Sequence, residues 1–287
     1  MKNDQHYKID DISAGASNIL NEIFTVRSYE LDAGGRLSLP SLCNFMQDAA
    51  GKHAHQLGVS VNDLLIMDHT WVLSRLALQI NAYPGWQDNL TVSTWPSGSH
   101  RLFALRKFNF SLGSRQSIGT AITAWLVIHT RKRLPVKIES FVKGFQQANP
   151  IAEDIDIIEE IGKLALPATF DHETTFAVRH HDLDINGHVN NVKTIEWVLE
   201  SIPSDKLHHN RLAALKINFM AEALTDDRVI SRCRQTNDDD PTYIHSVIKE
   251  ENGRELVRAQ TTWQSTHSKP FNKDKERING MGIRQST

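Results

Sequence analysis

The sequence predicts an α+β fold made of two copies of one helix-and-sheet unit. Three observations carry that expectation. Each half runs from a short strand through a turn into an amphipathic helix, and then into several strand-like segments. Phe24, Val26, Arg27, Leu31, Asp32 and Gly35 find counterparts in Phe176, Val178, Arg179, Leu183, Asp184 and Gly187, at a constant offset of 152 (176 − 24). Farther on, AITAW ending at Trp125 matches AQTTW ending at Trp263, and Asp88 aligns with Asp226, both at an offset of 138 (263 − 125). The smaller second offset predicts a shorter passage from helix to strand in the second copy. Two long repeats indicate duplication, whereas a solenoid needs more and shorter ones.

In chain order, residues 1–20 read as a loose lead-in, 21–150 as the first unit with the start of a connector, 151–267 as the end of the connector and the second unit, and 268–287 as a polar tail expected to be disordered. Pro40 fits a first helical turn, Leu42, Phe45, Met46, Ala49 and Ala50 mark an apolar helix face, and Gly58 fits a stop. Strand candidates follow at Trp71–Tyr83, Leu90–Trp95, Leu102–Leu112 and Ile118–Thr130. The connector, Arg131–Thr175, is basic at RKRLPVK and acidic and helix-like at EDIDIIEEIGKLA. Passing over a sheet edge, it would let the two units pair side by side as a homodimer does.

Composition narrows the class. Hydrophobic residues make up 40% and charged residues 23%, as in a soluble globular protein, and the net charge of −2 opposes general nucleic-acid binding. Cys43 and Cys233 lie far apart without metal-ligand spacing, which suits a reducing compartment. No apolar run approaches a membrane span. The opening MKNDQHYKIDDISAG has early acids and no apolar core, so it reads as neither signal nor transit peptide, and a cytoplasmic protein is expected.

The densest chemistry lies in RHHDLDINGHVNNVKTIEWVLE, Arg179–Glu200. Strand-like FAVRHH precedes it, and Val192, Ile195, Leu199 and Ile202 continue it at helical spacing, so Asp184, Asn186 and His188 fall where a strand gives way to a helix start. Helix N-termini suit a developing negative charge. Three chemistries compete. Asp182, Asp184, Asn186 and Gly187 open like a calcium loop, but its twelfth position is Lys193 where a bidentate Glu is required. His180, His181 and His188 could suggest a transition metal, yet adjacent strand residues point to opposite faces and no cysteine is near. The third reading is a metal-free cluster with His188 as base, Asn186 as amide donor and Asp184 as orienting acid, set against a plain polar helix cap. The first copy carries Gly34, Arg36, Ser38 and Leu39 opposite Asn186, His188, Asn190 and Asn191. Backbone positions repeat and the polar cluster does not, which favours a functional site in the second copy.

The run DLDINGHVNNVKTIEWVLE resembles the signature of the acyl-acyl-carrier-protein thioesterases, the plant plastid enzymes and their bacterial relatives. The resemblance also covers Thr70–Trp95 and Asn44–Gly58, and extends over about residues 20 to 265. It implies two tandem hotdog folds, each a long helix wrapped by antiparallel sheet, and hydrolysis of fatty acyl-acyl carrier protein without a cofactor or metal. It places Asp184, Asn186 and His188 on the family's D-x-N-x-H, and a further acid at Glu222. Plant members often carry a cysteine next; here Ala223 stands there, which removes a thiol mechanism at that place and leaves carboxylate and histidine to activate water. Whether His188 or Glu222 touches that water stays open.

The first unit is the expected acyl slot, with Trp71, Leu73 and Leu76 as lining candidates. Carrier proteins are acidic, so Arg131, Lys132, Arg133 and Lys137, with Arg101, Arg106 and Lys107, are docking candidates. An acyl-CoA thioesterase and a non-catalytic acyl-binding protein are the alternatives.

Overall fold

The computed structural model describes residues 19–113, 116–137, 151–184, 187–237 and 241–265. The expected N-terminal lead-in up to residue 18 and the tail 268–287 fall outside them.

The first copy opens with β1 (Leu20–Thr25) and a short 3-10 turn, then α1 (Leu39–Gln56). Ser38 caps α1 by accepting the Ser41 N–H at 3.2 Å, and Pro40 occupies the first turn, where its missing N–H is not needed. The helix buries Leu42, Phe45, Met46, Ala49 and His53, a stripe at three- and four-residue spacing. Gly58 takes a left-handed φ of 68° just beyond the helix end. A five-residue α2 (Val61–Leu65) leads into β2 (His69–Ile80), β3 (Asn89–His100), β4 (Phe103–Leu112), β5 (Gln116–His129) and the short β6 (Pro135–Val136). The connector contributes α3 (Ala152–Gly162). The second copy supplies β7 (His172–Ala177), α4 (Asn191–Glu200), α5 (Ser204–His209), β8 (Asn210–Phe219), β9 (Arg228–Asn237), β10 (Thr242–Lys249) and β11 (Glu255–Ser265). The shorter helical passage predicted for this copy is present: α4 has 10 residues where α1 has 18, so only one of the two helices is long.

Among the described residues all strands join one antiparallel sheet, in the order β1-β3-β4-β5-β2-β8-β11-β10-β9-β7, with β6 beside β5. The two copies meet at β2–β8, paired from Arg75↔Asn218 to Gln79↔Ala214. α1 and α4 share one continuous core on the inner face. The helix α3 lies across the outer face, where Ile158 and Ile161 pack on Leu105, Ile122 and Ala124. The described part of the connector at α3 therefore covers the sheet's second face.

Two details correct the sequence reading. Asp88 corresponds to Asp227, not Asp226: each accepts the N–H three residues earlier, Gly85 at 2.9 Å and Leu224 at 2.7 Å. Strand β2 also breaks its alternation at Ser74, where the register with β5 shifts between Leu73 and Arg75. The bulge puts Trp71 and Leu73 on the same inner face as Leu76, which strict two-residue periodicity would separate.

The second copy holds a fully buried histidine. The Ser201 hydroxyl donates to Val198 O at 2.7 Å, so its oxygen accepts from His245 Nδ1 at 3.1 Å. Thr261 Oγ1 then donates to His245 Nε2 at 2.8 Å and receives the Trp263 indole N–H at 2.8 Å. Every proton in this chain has a direction, and the imidazole is neutral. Burial pushes the His245 pKa down to about 3. Its ordinary value is 6.5, so below that pH the unfolded chain takes up a proton that the folded protein refuses until near pH 3. The stabilisation is complete above that window and is lost as pH falls through it. We expect His245→Gln to lessen the acid sensitivity of urea stability between pH 6 and pH 4, by up to about 1.4 kcal/mol per pH unit. Parallel pH slopes for the two proteins would contradict this.

Candidate active site

The duplicated turn explains how the site is built. In both copies an aspartate opens the turn before the helix: Asp32 N–H bonds Arg36 O at 2.7 Å, and Asp184 N–H bonds His188 O at 2.7 Å. The same aspartates accept with a side-chain oxygen from the N–H four residues on, at 3.1 Å from Arg36 and 3.2 Å from His188. Gly35 (φ 74°) and Gly187 (φ 75°) supply the left-handed residue that closes each turn. Arg27 and Arg179 precede the turns, each giving its N–H to an acid three residues on, Glu30 at 2.7 Å and Asp182 at 2.8 Å. Asp182 also takes the Arg179 guanidinium at 3.1 Å and is buried there, so its carboxylate belongs to the turn. In this frame Asp184 is first of all a turn builder. Asn186 lies outside the described residues.

The side chains on the two frames diverge. In the second copy the turn presents His188, and Nε2 lies 3.4 Å from Glu222 Oε2, from the loop after β8. This is longer than a direct hydrogen bond, and both groups are partly exposed. The matching backbone bonds, Val189 N–H to Ala223 O and Leu37 N–H to Pro84 O, make Tyr83 the first-copy equivalent of Glu222. Tyr83 is partly buried in the first-copy core and donates to Leu212 O at 2.9 Å, and Arg36, in place of His188, sits 3.5 Å from Asp32. The frame is kept twice, and among the described residues the His188–Glu222 pair has no counterpart in the first copy's turn.

A cavity of about 1400 Å³ opens beside the pair. His188, Asp184, Glu222 and the start of α4 at Asn190 and Asn191 form one part of its wall. Asn190 caps α4 by accepting the Val192 N–H at 2.9 Å, so the positive end of that helix borders the cavity. Both copies supply apolar wall: Ala50 and Ala54 on α1 with Trp71, Leu73, Ala104 and Trp125 on the sheet from the first, and Val189, Trp197, Phe219 and Leu256 from the second.

The remaining predicted residues separate clearly. Trp71 and Leu73 line the cavity; Leu76 does not, being packed in the core under α1. Arg106 is no docking residue, because it is buried and faces the cavity. Lys107 is held by Asp154 of α3 at 2.9 Å, and exposed Arg101 reaches Glu159 of the same helix at 3.2 Å. Arg131, Lys132 and Lys137 are exposed, and Arg131 pairs with Asp68 at 3.2 Å. Arg133 is engaged elsewhere: it forms an ion pair with Glu222 from a turn of the first copy, at a left-handed φ of 54°. Its place in a basic run concealed that contact. Arg133's partner could have been sought only by knowing that the β5–β6 hairpin reaches over the second copy.

One sheet of two fused helix-and-sheet units, with the His188–Glu222 pair in the wall of a mainly apolar cavity, defines an asymmetric double-hotdog protein. Residues 17–143 match the acyl-ACP thioesterase N-terminal domain and residues 167–265 the C-terminal domain; the chain belongs to the acyl-ACP thioesterase family. It is 27% identical over 272 residues to a chloroplastic palmitoyl-acyl carrier protein thioesterase of Gossypium hirsutum, covering 88% of this chain and 65% of that one. It thus spans somewhat under two thirds of the length of such curated relatives. Among solved structures, an acyl-ACP thioesterase from Bacteroides thetaiotaomicron is 25% identical with a TM-score of 0.72, covering 86% of this chain and 98% of that one. The 12:0-ACP thioesterase from Umbellularia californica, at 24% identity and a TM-score of 0.77, covers 87% and 98% and shares the fold.

Neither cysteine joins the site. Burial raises the Cys43 thiol to about 12 and the Cys233 thiol to about 11. Cys43 packs in the α1 face, and Cys233 donates to Ser201 O at 3.1 Å. A thiol reagent at pH 8 should therefore label both only after denaturation. Rapid labelling of the folded protein would show that one of them is reachable.

Proposed function

We propose that the protein hydrolyses the thioester of a fatty acyl chain carried on acyl carrier protein. The observation that carries this is the His188–Glu222 pair at the wall of a large, mainly apolar cavity, in a member of this family. In this reading residues 21–150 supply the acyl slot, and 151–267 supply the acid–base pair. The 3.4 Å between Nε2 and Oε2 is too short to admit a water between the two groups, so a water bonded to both would sit beside them. Water oxygen attacks the carbonyl carbon while the pair removes its proton. The oxyanion develops near the start of α4, where the helix dipole favours negative charge. Collapse breaks the C–S bond, the proton passes to the departing sulfur, and free fatty acid and carrier thiol leave. Asn186, by its place in the D-x-N-x-H run, is the proposed side-chain donor to the oxyanion. Asp184 holds the turn that presents His188.

Replacing His188 by Ala or Glu222 by Gln should lower kcat on acyl carrier protein substrates by roughly 10²–10⁴ with the fold intact. The first-copy counterparts Arg36→Ala and Tyr83→Phe should cost far less. Fatty acids released in a bacterial host give a direct readout, and near-normal release by the His188 variant would remove it from the mechanism.

The carrier is the second part of the proposal. Arg131, Lys132 and Lys137 are exposed on the hairpin whose Arg133 lines the cavity, where they would steer an acidic protein toward it. Arg133 is excluded from the test because it binds Glu222. Reversing Arg131 and Lys132 to Glu should reduce kcat/KM for acyl carrier protein substrates more than for the matching CoA thioesters. The difference should shrink as salt rises. Equal losses on both carriers would place docking elsewhere, and better use of CoA by the unaltered protein would favour the acyl-CoA alternative.

A further inference from the structure

Arg106 is the most unusual charged residue of the cavity. It is 5% exposed, on the inner face of β4, and burial pulls its pKa down to about 10 with no carboxylate acting on it. One terminal nitrogen donates to His53 Nδ1 at 3.1 Å and to Thr94 Oγ1 at 3.1 Å. Because a guanidinium only donates, His53 Nδ1 is an acceptor and this imidazole is neutral. A guanidinium has five N–H donors, and these bonds use two. The other three find no acceptor among the described residues, and Arg106 is part of the cavity wall.

The position is set by sheet register. Arg106 pairs with Thr123, Thr123 with Leu76, and Leu76 with Ile217 on β8, the strand that leads to Glu222. Arg106 thus lies three strands from β8, about 14 Å at ordinary strand spacing. The equivalent place in the second copy, opposite Thr261, is Tyr243, whose hydroxyl is satisfied by Gln235 at 3.0 Å. At this register position, among the described residues, the first copy keeps side-chain donors without acceptors and the second does not.

We propose that Arg106 reads the far end of the acyl chain. This rests on the thioesterase reading above and names its substrate class. A methyl-ended chain long enough to reach Arg106 would strip water from three donors at the cavity wall and return nothing. A chain whose far end carries a hydroxyl oxygen would restore an acceptor. The cavity therefore rejects long methyl-ended chains and takes shorter ones, or chains of the limiting length that end in oxygen.

The test uses acyl carrier protein loaded with saturated chains of increasing length and with matching chains bearing a terminal hydroxyl. For the unaltered protein, kcat/KM on methyl-ended chains should fall roughly ten- to hundredfold beyond one length, while the hydroxyl-ended partner at that length is spared. Arg106→Met should reverse the order, raising the ratio of long to short methyl-ended chains and abolishing the hydroxyl advantage. The unaltered protein decides by itself if that variant does not fold: equal losses for the two chain ends overturn the proposal. An unchanged length profile in folded Arg106→Met does the same. If no chain is hydrolysed, the thioesterase reading has failed, and binding still decides this one. Trp71 and Trp125 line the cavity, so their fluorescence should report tighter binding of ω-hydroxy than of plain fatty acids of the limiting length. Equal binding of the two acids would overturn it.

Discussion

The pairing of β2 with β8 is the constraint on which the rest depends. It runs from Arg75↔Asn218 to Gln79↔Ala214 and turns two half-sheets into one. A sheet edge left open there would expose unpaired backbone N–H and C=O groups and invite association with another chain. Once the seam is closed, α1 and α4 share one core on the inner face. The outer face is closed by α3, whose Ile158 carbonyl receives the Arg75 guanidinium at 2.7 Å and whose Glu160 binds Lys216 of β8 at 2.8 Å. One helix thereby grips a strand from each side of the seam. The seam also fixes the mouth of the cavity, since β2 carries Trp71 and Leu73 and β8 leads to Glu222.

Duplication then separates backbone from chemistry. The aspartate turn recurs with bond lengths that agree within about 0.1 Å between copies, because turn geometry tolerates few alternatives, and a left-handed glycine and a capped helix start accompany it in both. Side chains projecting from that frame are under no such restriction. His188 faces Glu222 in one copy, while the other has Arg36 against Asp32 and an inward-facing Tyr83. The first-copy frame remains necessary as structure, for it starts α1, and α1 contributes Ala50 and Ala54 to the cavity wall.

This division accounts for what the sequence disclosed. Glycine, aspartate and the Trp–Thr pairs repeat because they serve backbone and packing, so the tandem architecture and the strand-to-helix position of the cluster were legible. Trp125 donates to Thr123 at 2.9 Å and Trp263 to Thr261 at 2.8 Å, the same contact read twice in AITAW and AQTTW. The adjacent Asp226 and Asp227 were not separable, because what distinguishes them is folded geometry, such as the bond from the Leu224 N–H to Asp227. The bulge at Ser74 has no signature in a run of mixed polarity. Arg106 was read as surface because a lone cation on a strand ordinarily is; nothing along the chain announces that His53, 53 residues away, would face it in the core.

The contact between Arg133 and Glu222 shows where the two units need each other. Both side chains are half exposed, so their pair adds at most about 1 kcal/mol. A left-handed φ at a residue with a Cβ costs about as much. The ion pair and its strained turn therefore nearly cancel as stability, and what remains is geometry. Glu222 sits on a loop after the last residue of β8, with rotamer freedom that an unrestrained carboxylate would use. Arg133 takes that freedom away and leaves Oε2 within 3.4 Å of His188. A hairpin of the first copy thus sets the angle of an acid in the second. It can do so only because the β2–β8 seam holds β5 and β8 at fixed places in one sheet, on either side of β2.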